Sequence, residues 1–224
     1  MAIRPADRQI PQKTTVQVVY QQSITKHVFA LLHLGYSRMA SHTFQTCEEP
    51  AITGELVQAI REATEAQDAP RWVRHFTIHD DPPLNAGGRQ GRRRRRVDIE
   101  FERVQHGPRP RFQFEAKRLC NPSSVRDYLG QEGLGCFFAD DDAYAQGHME
   151  AGMLGYVQTD TETAWAALIQ AGLEHSPITY ALRTDGQWQH VVMNPALQCT
   201  YYTKHERAVP QSPLTIYHVL LRFC

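Results

Sequence analysis

Two short runs, RRRRRVDIEFERV and RFQFEAKRL, constrain this chain more tightly than anything else in it. In the first, Val97, Ile99 and Phe101 alternate with polar residues; in the second, Phe112, Phe114 and Ala116 do the same. A period of two marks a half-buried strand, because successive side chains leave a strand on opposite faces. Gly107, Pro108 and Pro110 stand between the runs and interrupt any ladder. The predicted unit is an antiparallel hairpin over Arg92 to Leu119. Its apolar faces share one core. The other face carries Arg94, Arg96 and Asp98 on one strand and Gln113, Glu115 and Lys117 on the other. Two carboxylates, a lysine and two arginines on one patch of sheet suit a metal ion and a phosphate.

An isolated hairpin buries too little to be stable, so the rest of the chain must cover it. With 224 residues and no Ser/Gly-rich linker, one α/β or α+β domain is expected over residues 14–224, preceded by a polar arm, residues 1–13. Apolar residues from Val16 to Met39 recur at spacings of three and four, predicting one or two helices with Gly35 as a possible stop. TCEEPAITGELVQAIREATEA is the clearest amphipathic helix, with Ile52, Leu56, Ala59, Ile60 and Ala63 as its stripe. Glu49 falls near that buried face, and Glu48 and Glu55 lie to either side. Glu48 and Glu49, beside Pro50, equally suit the role of acids favoured by the positive end of a helix.

A strand is expected in RWVRHFTIHDDPP, and turn chemistry in NPSSVRDYLGQEGLGCFFADD opens a helix broken by glycines. MEAGMLGYVQT reads as a short helix leading into a buried strand around Met153 to Gln158. TETAWAALIQAGLE is a helix capped by Thr161 or Thr163 and ended near Gly172. PITYALRT, QHVVMN and LTIYHVLLRF are strand candidates. The order is helix, three strands, helix, strand, helix, strands.

Zero formal net charge and 42% hydrophobic residues exclude a disordered or strongly basic chain. Five scattered cysteines without a C-x-x-C pair fit a reducing compartment rather than a disulfide framework or a zinc knuckle. No stretch is long and apolar enough for a bilayer, and the N-terminus lacks a signal-peptide pattern, so a cytoplasmic protein is expected.

Lysine is scarce: Lys13, Lys26, Lys117 and Lys204 stand against twenty arginines. Where charge alone matters this chain uses arginine, so Lys117 calls for a reason. Lysine is a compact ammonium that can exchange a proton beside an attacking water, which a guanidinium cannot. Glu115, two residues earlier, shares its face. Hard carboxylate ligands without a His or Cys cluster select Mg2+ or Mn2+ over zinc.

VDIEF followed by FQFEAKRL resembles the catalytic hairpin of the PD-(D/E)XK nuclease superfamily, with Val97 where the name-giving proline would stand. The resemblance covers about residues 47–160. It implies a restriction-endonuclease-like α/β core (αβββαβ), a central mixed sheet flanked by helices, here with extra N-terminal helices and C-terminal strands. It implies metal ligation by Asp98 and Glu115, a general-base or charge-stabilising role for Lys117, and an accessory acid at Glu49 or else at Glu48 or Glu55. Arg94, Arg96 and Arg118 could then hold flanking phosphates.

The expected activity is Mg2+- or Mn2+-dependent hydrolysis of phosphodiester bonds, in DNA before RNA, with RNA left open because nothing in the chain resembles a base-reading element. A homodimer or a partner protein would restrain it, by analogy with bacterial restriction and phage-defence enzymes. Two rivals stand beside this: a catalytically silent nucleic-acid-binding protein on the same fold, and an interaction subunit of a larger complex. The hairpin charges could equally be a cross-strand ion network on a solvated face. Asp140, Asp141 and Asp142 read as a surface loop without calcium-loop spacing, and Tyr201, Lys204, His205 and Arg207 as a polar loop.

Overall fold

The computed structural model describes residues 15–84, 94–105, 109–138, 143–145, 147–207 and 213–224. The expected arm, Arg92, Arg93, the tip of the central hairpin and Asp140 to Asp142 lie outside the described residues.

Helix α1 (Thr15–Tyr36) ends one residue after Gly35, the expected stop, and Gly35 is also a point of close approach. A Cβ there would sit 2.3 Å from Ile60 Cγ1, so the missing side chain lets α1 cross α2 (Glu49–Glu65). Helix α2 has Pro50 in its first turn, where a missing N–H leaves no intrahelical bond unmade. It buries Ile52, Thr53, Leu56, Val57, Ile60 and Ala63, close to the expected stripe. A 3-10 turn over Arg71–His75 replaces the front of the expected first strand, and β1 is Phe76–Asp80.

The central hairpin forms as β2 (Ile99–Arg103) and β3 (Arg111–Leu119), with Ile99 opposite Phe114 and Phe101 opposite Phe112. A short helix α3 (Ser124–Leu129) follows, then β4 (Glu150–Val157). The helix expected just before β4 is absent from residues 147–149; Glu150 already pairs in register with Thr215. Helix α4 (Glu162–His175) is capped by Thr161, whose hydroxyl accepts from the Ala164 N–H at 3.2 Å. It continues past Gly172, where a Cβ would meet Leu129 Cδ1 at 2.6 Å; the glycine admits α3.

The last third departs most from expectation. PITYALRT is turn rather than strand, and QHVVMN contributes only β5 (Gln189–His190). The supposed polar loop is strand β6 (Thr200–His205), paired with β7 (Leu214–Arg222). Three of its polar residues, Thr200, Thr203 and His205, are buried. Tyr128 Oη lies 3.0 Å from His218 Nδ1, His218 Nε2 lies 2.8 Å from Thr203 Oγ1, Thr203 Oγ1 lies 2.6 Å from His205 Nε2, and His205 Nδ1 lies 2.7 Å from the Tyr180 carbonyl. The carbonyl can only accept, so each neutral member donates to the next and no buried group is left over. Burial holds both imidazoles below their usual range, His205 at about 4.

The seven strands form one mixed sheet in the order β1-β2-β3-β4-β7-β6-β5. The β3/β4 and β4/β7 pairs are parallel and the rest antiparallel. Helices α1 and α2 cover one face over Phe101, Phe112, Phe114, Leu154 and Tyr156. Helices α3 and α4 cover the other over Leu119, Met153 and Val157. Among the described residues no helix is long and apolar enough to cross a membrane.

Candidate functional site

The site forms where the β2–β3 ladder ends. Beyond the Ile99–Phe114 pair, β2 remains tied to the β1 side: Asp81 N donates to the Asp98 carbonyl at 3.0 Å and Val97 N to the Pro82 carbonyl at 3.3 Å. On the β3 side the next amide, Ala116 N, donates to the Asp98 carboxylate at 2.6 Å. A side chain thus takes the place of a ladder carbonyl, which fixes Asp98 at the split. The chain twists there. Val97 packs under α3 and α4 while Ile99 and Phe101 pack under α1 and α2, so the three do not share the face that their alternation predicted. Arg96 is engaged by Asp81, its Nε lying 2.6 Å from that carboxylate.

Glu115 lies on β3 next to this split with only 5% of its surface exposed. Lys117 Nζ donates to Glu115 Oε1 at 2.7 Å, to Glu49 Oε1 at 3.1 Å and to the Ala116 carbonyl at 2.7 Å. Glu49 arrives from the first turn of α2, which is anchored by Gln158 at the end of β4: its Nε2 donates to the carbonyls of Phe44 and Cys47, both at 2.8 Å. Thr53 and Tyr156 add a buried hydroxyl pair at 2.9 Å between the same elements. Of the three candidate acids on this helix, Glu49 alone reaches Lys117. Glu48 pairs with Arg118 at 2.8 Å with 74% of its side chain exposed, and Glu55 lines a surface cavity with Arg38 and Glu62. Arg94 makes contacts of its own and is not free.

Three carboxylates and one ammonium carry two uncompensated negative charges when all are ionised. Water would dissipate them; a largely buried site cannot. Burial raises Glu115 to about 8, with Asp98 adding to the rise and Lys117 opposing it. Burial likewise raises Asp98 and Glu49. Burial works against the Lys117 charge, but Glu115 and Glu49 outweigh it and hold its proton more firmly than usual. The acids therefore ask for a further positive charge, either a proton or a cation. Glu115 Oε2 is buried with no hydrogen-bond partner, a lone pair set available for a ligand. The donors brought together are the carboxylates of Asp98, Glu115 and Glu49; burial pushes the nearby Cys136 thiol up to about 12, and that thiol donates to the Gln131 carbonyl at 3.2 Å. That donor set fits a hard divalent ion.

No protein-family model matches this chain, nor does any curated protein or solved structure. Its chemistry must be argued from the site alone.

The sequence reading passed over a second acidic group. Among the described residues, one set of three possible ligands brings all its atoms within 4.8 Å of one another: His79, Glu100 and Glu102. It could hold a metal, yet its charge is already answered. Arg109 and Arg111 both reach Glu102 at 2.8 Å and, against the effect of burial, hold its carboxyl below the usual range. Gln113 donates to Glu100 at 2.6 Å. The signal was present in VDIEFER, where Glu100 and Glu102 alternate with the apolar residues, and in the strand Phe76–Asp80 that sets His79 opposite Glu100.

Proposed function

We propose that this protein is a metal-dependent nuclease that hydrolyses phosphodiester bonds in DNA, on an αβββαβ core of the PD-(D/E)XK kind. The element order α2, β1, β2, β3, α3, β4 supports that reading. What carries it is the partnerless Oε2 of buried Glu115, beside Asp98 and bridged by Lys117 to Glu49. Asp98 and Glu115 would hold Mg2+ or Mn2+, and Glu49, ion-paired to Lys117, is the accessory acid. Bound there, the ion would supply Lewis-acid polarisation of a phosphoryl oxygen and a more acidic water. Asp98 is oriented by the Ala116 amide, so its carboxylate pays little reorganisation during the reaction. Lys117, firmly protonated, acts by stabilising the negative charge that develops on the phosphate rather than by taking a proton. Arg118 and Arg96 lie at the margin, each on an exposed acid that phosphate could displace.

Supercoiled plasmid and single-stranded RNA incubated with pure protein and Mn2+ test the reading. The wild type is expected to nick plasmid, and Asp98→Ala and Lys117→Ala to lose roughly a thousandfold or more in rate. Nicking by all three proteins alike would end the catalytic assignment. Salt-sensitive DNA binding without cleavage would instead support a silent binder, and a metal-indifferent complex with another protein an assembly subunit.

A further inference from the structure

A buried polar atom without a partner forfeits its hydrogen bonds to water, so folded chains rarely keep one. Among the described residues three side-chain atoms are left in that state: His27 Nδ1, Arg95 Nη1 and Glu115 Oε2. The His27 ring is used for packing, stacked on Trp72 at 4.4 Å between centroids on the α1 side of the sheet. The other two belong to one neighbourhood.

Arg95 stands two residues before Val97, which is buried with Cys136 and Tyr144 in the core beneath α3 and α4. Tyr144 Oη donates to the Arg96 carbonyl, the Leu84 amide donates to the Arg95 carbonyl at 2.8 Å, and the Tyr144 amide donates to the Cys136 carbonyl at 2.9 Å. These bonds hold the backbone around Arg95 against the wall formed by Cys136 and Tyr144. The same wall reaches the strand of Glu115, because the Ala145 amide donates to Gln113 Oε1 at 2.6 Å two residues along β3, and the Cys136 thiol is influenced by both Glu115 and Arg95.

The other basic groups of the site are already engaged. Lys117 holds Glu115 and Glu49, Arg96 holds Asp81, and Arg118 holds Glu48. Arg94 has contacts of its own. A guanidinium keeps its charge, so its spare buried donor calls for an acceptor, and an anion would answer the charge as well. Its planar fork suits two oxygens of one phosphate.

We infer that Arg95 is the phosphate-binding residue of this site, its guanidinium taking a non-bridging oxygen of the DNA phosphodiester that lies against Glu115. The inference rests on the nuclease reading. It makes Arg95 a substrate-positioning group distinct from the expected trio of Arg94, Arg96 and Arg118.

The test compares wild type, Arg95→Met and Arg95→Lys in three measurements. These are the affinity for a labelled DNA duplex in Ca2+, kcat and KM with Mn2+, and thermal stability without DNA. Arg95→Met is expected to melt at or above the wild-type temperature, because it removes a buried donor atom that has no partner, and to bind duplex about a hundredfold more weakly. Its salt slope should flatten by about one. Arg95→Lys should recover part of the affinity. Arg95→Met with wild-type KM and affinity would overturn the inference, as would a lower melting temperature with unchanged affinity, the mark of a structural residue. Wild-type protein that binds duplex without cutting it defeats the catalytic reading separately, and the affinity of Arg95→Met still decides the role of Arg95.

Discussion

Glu115 is the residue whose surroundings make least sense without a ligand. It is buried, one oxygen accepts from Lys117, and the other meets no donor, so that a proton on Glu115 would be shared with Asp98. Its carboxyl, raised by burial and by Asp98, reaches about 8 against an ordinary 4.5. Between those values the folded chain binds the extra proton. The stability this group contributes is therefore complete below pH 4.5 and is lost as pH rises through 8. Glu115→Gln keeps the shape and removes the charge. In EDTA at pH 8.5 it should melt above the wild type, by about 2–4 °C for each kcal/mol recovered, while metal-dependent cleavage falls about a thousandfold. A variant that melts lower yet still cleaves would show that Glu115 is a structural anion and no ligand.

At the scale of elements, the strand least legible in the sequence is the one that organises the far half of the sheet. TYYTKH lacks the apolar alternation of a core strand because Thr203 and His205 satisfy each other and His218 inside. Such a chain tolerates no added proton: every imidazole nitrogen is already committed as donor or acceptor. His205, lowered by burial to about 4 from 6.5, contributes stability that is present above pH 6.5 and lost as pH falls through 4. His205→Gln should flatten the fall in melting temperature across that interval, relative to wild type, even where it lowers stability overall. An unchanged slope would assign the acid sensitivity elsewhere. The glycines of the helices carry the opposite lesson. Gly35 and Gly172 each fall within three residues of a helix end, as expected, and each also sits at a crossing where a Cβ would collide with Ile60 or Leu129. A glycine that ends a helix and one that admits a neighbour look alike until the neighbour is known.

For the whole molecule, the proposed metal site would tie folding to ligand. A cation held by Asp98 and Glu115 would bind only the folded state, so Mn2+ at a hundred times its dissociation constant should add about 2.7 kcal/mol, or roughly 5–10 °C in melting temperature. The gain should be larger at pH 8.5 than at pH 6, because the ion must displace the Glu115 proton. Asp98→Ala should abolish it and His79→Ala should not; the reverse pattern would move the metal to His79, Glu100 and Glu102.

The sequence by itself determined what depends on the local period of the backbone. That includes the hairpin of β2 and β3, the placement of Glu115 beside Lys117, the buried stripe of α2, and the order of helices and strands through β4. Only the tertiary structure decided which acid of α2 meets Lys117, that Arg96 turns to Asp81, that Val97 changes faces at the split, and that a polar run is an inner strand. The reason is one of range. A side-chain direction repeats every two residues or every 3.6, whereas the partner that makes a buried charge tolerable comes from wherever the chain next crosses it. Glu49 reaches Lys117 from 68 residues away.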